Sequence, residues 1–259
     1  MDRHTEIRRL AQALHKTENE LDYLADLDAE GLHRLRLLLQ NRIIDEFAHL
    51  FERMAAAGKV APDSLSALLC KKVFGPTLSA NMSYFIAVPK AIKLMKHFDA
   101  EFLADVTRHI VPDRAKEMLE GIPVDMMRDV TRQLLADQEY AIMGGFTDQM
   151  PEDKVLALMQ ELDEPIDCLR VSCYAQNKAR IAKLTQRFEE DFLTELIHAA
   201  FTTEELIEEV GLITAEMDAS NQHRMATLTD AANPAYRKQA RKMAKKRGIT
   251  GNLESYFAA

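Results

Sequence analysis

Apolar positions in the first sixty residues recur at the spacing of two amphipathic helices. The first stripe falls at steps of three, four and seven residues and comprises Ile7, Leu10, Leu14, Leu21 and Leu24. A polar break at residues 26–28 precedes a second, more apolar stripe from Leu32 to Met54, which Gly58 can end in a left-handed cap. Since each stripe would pack one helix face on a neighbour, the pattern predicts a helical hairpin over residues 1–60.

Residues 61–98 predict short helices with proline at their boundaries. The triplet Pro-Asp-Ser at 62–64 is typical of a helix start, and the Gly-Pro pair at 75–76 is typical of a helix end. The apolar stretch that follows is interrupted at Pro89, because proline removes a backbone donor from a helix. We therefore expect a basic helical connector over these residues.

From residue 98 onward the chain repeats its own pattern. The tetrapeptide Asp-Val-Thr-Arg occurs at 105–108 and again at 129–132, an offset of 24 residues. A third copy begins at Phe188. A period of this length is the sequence signature of stacked structural repeats, so we expect a helical-repeat domain over residues 99–235.

Each copy has the pattern of two short helices. The first helix of the first copy carries an apolar stripe at helical spacing, formed by Phe102, Leu103, Val106 and Ile110. A glycine is expected to close the second helix of each copy, at Gly121, Gly145 and Gly211. Helices of about ten residues are marginal alone and must stack on neighbours. The predicted fold is therefore all-α, with an N-terminal helical hairpin followed by a helical-repeat array of the α-solenoid or superhelix type.

Composition favours the same class and predicts a cytoplasmic protein. The 259 residues include only 9 glycines and 8 prolines, too few for the many turns of a β-sandwich, and 47% of them are hydrophobic, enough for a sizeable core. Three cysteines without metal-type spacing are typical of a reducing compartment. The charged amino terminus lacks a signal-peptide pattern, and no stretch approaches the roughly 18 apolar residues of a membrane span.

A family resemblance is found in two stretches of short predicted helices separated by proline and acidic residues. Residues 111–123 (VPDRAKEMLEGIP) and 150–159 (MPEDKVLALM) resemble the cytosolic N-terminal superhelical domain of MgtE-type magnesium transporters, and they are similar to the repeats of the flagellar motor-switch protein FliG. The resemblance covers about residues 98–165 and extends in weaker form to 211. It implies a cytosolic regulatory or docking superhelix. No magnesium-ligand motif matches, so no metal-binding residue and no transport activity are carried over.

Basic residues are concentrated in two stretches of a chain whose net charge is −8. Residues 64–98 contain no Asp or Glu, and the predicted C-terminal tail at 236–259 begins with a second basic block. These stretches either complement acidic faces of the same protein or of a second copy, or they bind an acidic protein, a phosphate-bearing ligand or an anionic membrane surface. A pI near 5.6 argues against a protein dedicated to binding nucleic acid. The candidate partner-binding residues are Lys71, Lys72, Lys90, Lys93 and Lys96.

Catalytic motifs are weak throughout. The pairs Glu46/His49 and Glu195/His198 have the Glu-x-x-His spacing of di-iron helical bundles, but such a site needs two further glutamates and long helices. No nucleophile motif or phosphate loop accompanies them. We predict no catalytic and no metal-binding residue, and the cofactor question stays open.

The leading hypothesis is a non-enzymatic, cytosolic regulatory or scaffold protein that presents a helical-repeat surface to a protein partner. Homodimerisation through the N-terminal hairpin is compatible with its apolar stripes. A ligand-responsive binding module for a lipid, nucleotide or divalent cation is the first alternative. A helical di-metal enzyme is the second.

Overall fold

The computed structural model describes residues 3–14, 16–159, 161–162 and 164–258, apart from the side chains of Ile43, Lys59 and Glu204. Within these residues every regular element is a helix and no strand occurs, which confirms the all-α class. No helix among them is long and apolar enough to cross a membrane. The chain divides into two compact units, Met1–Glu161 and Leu162–Ala259.

The first unit is built from eleven described α-helices with short 3-10 and π segments between them. The α-helices are α1 (Arg3–Leu14), α2 (Ala29–Glu46), α3 (Ala48–Val60), α4 (Asp63–Leu69), α5 (Gly75–Ser83), α6 (Val88–Met95), α7 (Ala100–Arg108), α8 (Lys116–Gly121), α9 (Val124–Ala136), α10 (Tyr140–Gln149) and α11 (Glu152–Met159). A π-helical segment, Cys70–Phe74, joins α4 to α5, and 3-10 turns cover Glu18–Leu24 and Pro112–Arg114.

The N-terminal helices pack through part of the predicted apolar stripes, whereas Leu39, Phe47 and Leu50 of the second stripe are exposed. α1 lies against α2, and the core between them contains Ile7, Leu10, Ala11, Leu21 and Leu32. The second predicted helix is divided at Phe47, where the backbone leaves helical geometry. The bend turns Phe51 inward, and its ring stacks on that of Phe85 at 6.1 Å. The single helix expected here is therefore two helices, because α3 packs on a different neighbour from α2.

Gly58 does not cap a helix. It lies inside α3, which continues to Val60, and its φ is not positive. Ala61 is extended, as expected for a residue that precedes a proline, and Pro62 follows it. The helix therefore ends because of Pro62, and the predicted left-handed cap at Gly58 is wrong.

Helices of the first unit pack on their second neighbours along the chain. α3 contacts α5, α5 contacts α7, α7 contacts α9, and α9 contacts α11. The helices between them form a second series in which α4 contacts α6 and α6 contacts α8. From α3 to α9 and in α11, these helices therefore pack on a helix two positions away in sequence, whereas α1 packs on α2 and α10 contacts α9.

The second unit follows the same alternation. Its helices are α12 (Pro165–Tyr174), α13 (Lys178–Thr185), α14 (Glu190–Thr202), α15 (Ile207–Ala215), α16 (Ala219–Ala232), α17 (Pro234–Arg247) and α18 (Glu254–Ala258). α12 contacts α14, α14 contacts α16 and α16 contacts α18, while α13 contacts α15 and α15 contacts α17. Of residues 236–259, predicted as a basic tail, the described ones (236–258) lie within α17 and α18 and the turn between them, and both helices pack on α16.

The three repeat glycines have different positions in their helices. Gly121 is the last residue of α8, as predicted, whereas Gly145 and Gly211 lie inside α10 and α15. Their expected role as helix terminators is wrong at these two positions. All three glycines lie at close helix contacts, since an added Cβ would overlap the Met243 side chain at Gly211, meet Pro112 at Gly145 and meet Val88 at Gly121.

Candidate functional site

α4 and the π-helical segment after it have two faces of different character. Ser66, Ala67 and Cys70 are buried on the inner face, and α4 packs on α6. The outer face carries Leu65, Leu68, Leu69 and Val73, which are 47%, 53%, 37% and 66% exposed. We call these four side chains the α4 ridge. Their spacing of i, i+3, i+4 and i+8 places them along one side of a helix.

Exposed apolar side chains are confined to one part of the described chain. The large apolar residues with the greatest exposure all lie between residues 23 and 78: Tyr23, Leu27, Leu38, Leu39, Phe47, Leu50, Val60, Leu65, Leu68, Leu69, Val73 and Leu78. The described residues of the second unit contribute none. Scattered exposed leucines are ordinary, but a continuous apolar patch marks a site of interaction.

The backbone is unusual where the α4 ridge ends. The helix widens into the π-helical segment Cys70–Phe74, and Gly75 follows with φ 68° and ψ −179°. Only glycine adopts this combination readily, since a Cβ would collide with the backbone. π-helical turns occur frequently at functional sites. The sequence predicted a helix end at Gly75-Pro76, and the structure confirms it: the helical segment ends at Phe74, and α5 begins directly at Gly75.

Two of the five candidate lysines take part in ion pairs of the fold. Lys71 is paired with Asp99, and its ammonium lies 5.9 Å from the ring centroid of Phe102. Lys90 is paired with Asp63 and also donates to the carbonyl of Ala61 at 3.3 Å. The hydrogen bonds from these lysines hold the pKa values of Asp99 and Asp63 below their ordinary range. These two lysines therefore complement acidic residues of the same unit.

The other three candidate lysines extend into solvent. Lys72, Lys93 and Lys96 are exposed, and none has a hydrogen bond or ion pair within the described residues. Lys72 follows Leu68 by four residues and so continues the α4 ridge. The charge of Lys93 acts on Asp63, the first residue of α4. Unpaired positive charge is therefore present near both ends of the ridge.

The two Glu-x-x-His pairs lie on exposed helix surfaces. Glu46 pairs with Arg42 at 3.7 Å, and His49 is exposed. Glu195 is exposed, and the Nδ1 atom of His198 lies 3.0 Å from the hydroxyl of Tyr236. Within the described residues no group of three or more His, Cys, Asp or Glu side chains is arranged to hold a metal ion.

The cysteines are buried free thiols. Burial raises the pKa of Cys168 to about 12, and burial also raises the pKa of Cys70. A thiol with a raised pKa carries little thiolate at neutral pH and is a poor nucleophile.

An apolar crevice in the second unit, lined by Phe201, Val210 and Met243 among others, has room for about one water molecule. These features give little support to nucleophilic chemistry or to a ligand in that crevice.

A buried charge cluster in the first unit was not predicted from the sequence. Glu6 is fully buried and accepts hydrogen bonds from Arg36 at 2.9 and 3.3 Å, while Arg36 also reaches Asp113 at 3.4 Å. Burial alone would raise the pKa of Glu6, but Arg36 and the charge of Arg9 bring it below its ordinary value. The one available sequence signal is that Glu6 and Arg9 adjoin apolar positions of α1. The ion pairs of this cluster connect α1 to α2 and to later parts of the first unit.

A scan against protein-family models and searches of curated proteins and of solved structures found no match. What the protein does must therefore be inferred from its own geometry. The strongest feature of that geometry is the α4 ridge with the unpaired lysines at its two ends.

Proposed function

We propose that the protein is a non-enzymatic regulatory or scaffold protein of the cytosol that docks a protein partner. The single observation that carries this proposal is the confinement of exposed apolar side chains to residues 23–78, with the α4 ridge at the edge of an acid-free basic segment. Interfaces combine an apolar centre with a polar rim. The ridge supplies the centre, and Lys72 and Lys93 supply part of the rim.

The energetics favour a transient complex. Burying a leucine completely contributes about 1.5–3 kcal/mol, so covering the exposed parts of the four ridge side chains contributes about 3–6 kcal/mol. Association itself costs about 4–15 kcal/mol, and a micromolar complex requires a net value of about −8 kcal/mol. The ridge therefore anchors an interface that needs further contacts from neighbouring surfaces such as Leu78.

We further propose that the helices form a repeat array of the superhelical kind. The 24-residue sequence period and the packing of most helices on their second neighbours support this proposal. In such arrays each unit touches mainly adjacent units, and the surface serves for binding. The resemblance of residues 98–165 to the cytosolic MgtE and FliG superhelices belongs to the same proposal. The buried free thiols are compatible with a reducing cytosol.

Dimerisation through the N-terminal helices is a second proposal with its own observation. Leu38 and Leu39 on α2 are 71% and 44% exposed, and Phe47 and Leu50 are exposed nearby in sequence. A second copy would cover these side chains. Light scattering after size exclusion should then give twice the chain mass, and Leu38→Ser/Leu39→Ser should return it to the monomer. A monomeric wild type at micromolar concentration would exclude the dimer.

The docking proposal is tested by removing the α4 ridge. A partner is first identified by co-purification and mass spectrometry, then produced in pure form, and its Kd is measured. Leu65→Ser/Leu68→Ser should weaken the complex at least tenfold without changing the circular dichroism spectrum. Undiminished binding by the ridge variant would reject the proposal.

A further inference from the structure

Three unusual features coincide between residues 65 and 78. The exposed α4 ridge runs into the π-helical segment Cys70–Phe74, Gly75 holds a backbone conformation restricted to glycine, and Leu78 is exposed just beyond it. None of these features stabilises the unit by itself, since a leucine that stays in solvent gains nothing on folding and a glycine loses more conformational freedom on folding than other residues do. Their coincidence marks a surface that is kept for another purpose.

The dimensions of the α4 ridge match a helix. From Leu65 to Val73 the ridge spans eight residue steps, or about 12 Å at 1.5 Å per residue. Its spacing of i, i+3, i+4 and i+8 is that of one helix presenting a ridge to the groove of another. A partner helix of about three turns covers it completely. Helices that bind in this way contribute their own apolar residues at the same spacing.

Charge near the two ends of the ridge selects the partner's polar residues. Lys72 continues the ridge at its C-terminal end. Lys93 lies one turn after Lys90 on α6, and Lys90 pairs with Asp63 at the N-terminal end of α4. Residues 64–98 contain no Asp or Glu, and the nearby Asp63 is already paired with Lys90. Carboxylates on a partner placed near these two ends would form ion pairs that the free protein lacks.

We infer that the α4 ridge seats an amphipathic α-helix of a partner protein, whose apolar stripe covers the ridge and whose flanking carboxylates meet Lys72 and Lys93. This inference rests on the proposed docking function and specifies its ligand. The partner's recognition element is a helix of about three to four turns with leucine-like residues on one face. Glu or Asp lies at the two ends of that face.

A second copy of the same chain fits this surface poorly. In an antiparallel pair of ridges Lys72 of one copy would approach Lys93 of the other, and like charges destabilise such contacts. An anionic bilayer also fits less well, because its extended negative surface is repelled by the overall negative charge of the protein, which is −8. A short helix senses mainly the lysines within a Debye length of about 8–10 Å.

The test uses the full chain and two synthetic helical peptides with the same leucine stripe. One peptide carries Glu at both ends of the stripe and the other carries Lys, and binding is followed by fluorescence anisotropy at physiological salt. The Glu peptide should bind at least tenfold more tightly than the Lys peptide. Leu65→Ser/Leu68→Ser should abolish binding of the Glu peptide.

A charge-swapped protein makes the test specific. Lys72→Glu/Lys93→Glu should reverse the preference, so that the Lys peptide now binds at least fivefold more tightly than the Glu peptide. Lys238→Glu/Lys242→Glu on α17 is the matched control, because it makes the same change in net charge at exposed lysines of the second unit. This control should keep the wild-type preference.

Several results would overturn the inference. These are failure of the Glu peptide to bind, equal binding of both peptides, or an unchanged preference after the charge swap. The protein could instead bind vesicles with 30% anionic lipid more strongly than the Glu peptide, and lose this binding in Leu65→Ser/Leu68→Ser. That result would identify an anionic bilayer, and not a partner helix, as the ligand of the α4 ridge. The docking function is judged separately by the natural partner, which can depend on Leu65 and Leu68 even when no helical peptide binds.

Discussion

Exposed lysines occur on α17 and on the π-helical segment that follows α4, yet α4 and α17 use their apolar positions in opposite ways. α17 buries Tyr236, Ala240 and Ala244 and exposes a polar, basic surface. α4 buries small side chains, Ser66 and Ala67, and leaves its leucines in solvent. The difference teaches that a basic stretch alone is an ordinary solvated surface, whereas lysines beside uncovered leucines indicate an interface.

The same contrast extends to the two units that contain these helices. The second unit covers its large side chains: Leu193 and Ile197 are almost completely buried in α14. The first unit leaves the leucines of the α4 ridge exposed and holds a buried charge cluster around Glu6. The second unit also contains a buried ion pair, between Lys178 and Glu209 at 2.9 Å. The two units therefore differ in their exposed apolar side chains and not in having buried charges. The following substitutions test this contrast.

Glu6→Ala should produce the largest effect. It leaves Arg36, which is also buried, without its main partner, and breaking a buried ion pair in this way costs about 3–5 kcal/mol. Urea denaturation should show the loss, and hydrogen exchange should show it in α1 and α2. As a control, Glu30→Ala removes an exposed carboxylate from the same hairpin and should change stability by less than about 0.5 kcal/mol. Equal effects of the two substitutions would contradict the structural role of the cluster.

Leu193→Ala and Leu68→Ala compare the two kinds of leucine directly. Leu193 is 1% exposed, so its truncation should cost about 2–5 kcal/mol. Leu68 is 53% exposed, and its truncation should cost less than about 1 kcal/mol. Chemical denaturation of the two variants measures the difference. A large loss at Leu68 would mean that the α4 ridge belongs to the core of the fold and is not a free surface.

Gly75→Ala should destabilise the first unit by about 1–3 kcal/mol, since the backbone there is accessible to glycine only. Gly58→Ala is the matched control inside α3, where nothing lies within 4 Å of an added Cβ. That change should stabilise the helix by about 0.5–1 kcal/mol. Opposite shifts in the melting temperature of the two variants are expected. Two shifts of the same sign would argue against strain at Gly75.

The contribution of Glu6 should disappear in acid. Its pKa is lowered in the folded protein from an ordinary value of 4.5, so its charge stabilises the fold above that pH. The stabilisation is lost as the pH falls through the folded pKa. The difference in melting temperature between wild type and Glu6→Gln should therefore shrink from pH 6 towards pH 3. A constant difference across this range would assign the effect of the substitution to packing alone.

Local elements were predictable because they depend on neighbours in sequence. The helix start near Asp63, the interruption before Pro89 and the break at residues 26–28 all occur where the sequence places them. The predictions failed at Gly145 and Gly211, where the signal for a helix end is identical to the signal for close packing. A glycine indicates that a side chain would not fit at that position, but the sequence does not show which helix packs against it.

The candidate site was predictable only in part. The acid-free segment 64–98 drew attention to five lysines, but which of them pair is decided by contacts with Asp63 and Asp99, which lie 27 and 28 residues away from Lys90 and Lys71. The leucines of the α4 ridge gave no sequence signal of exposure, because an apolar stripe predicts a buried face.

The sequence by itself determined that this protein is helical, where many of its helices begin, and where its positive charge is concentrated. Only the tertiary structure decided which face of α4 is covered, which lysines remain unpaired, and that Glu6 meets Arg36 thirty residues away. The physical reason is that periodicity fixes the face of a helix, whereas burial depends on which distant helix packs against that face. Function depends on the faces that remain uncovered, and those emerge only when the helices are packed together.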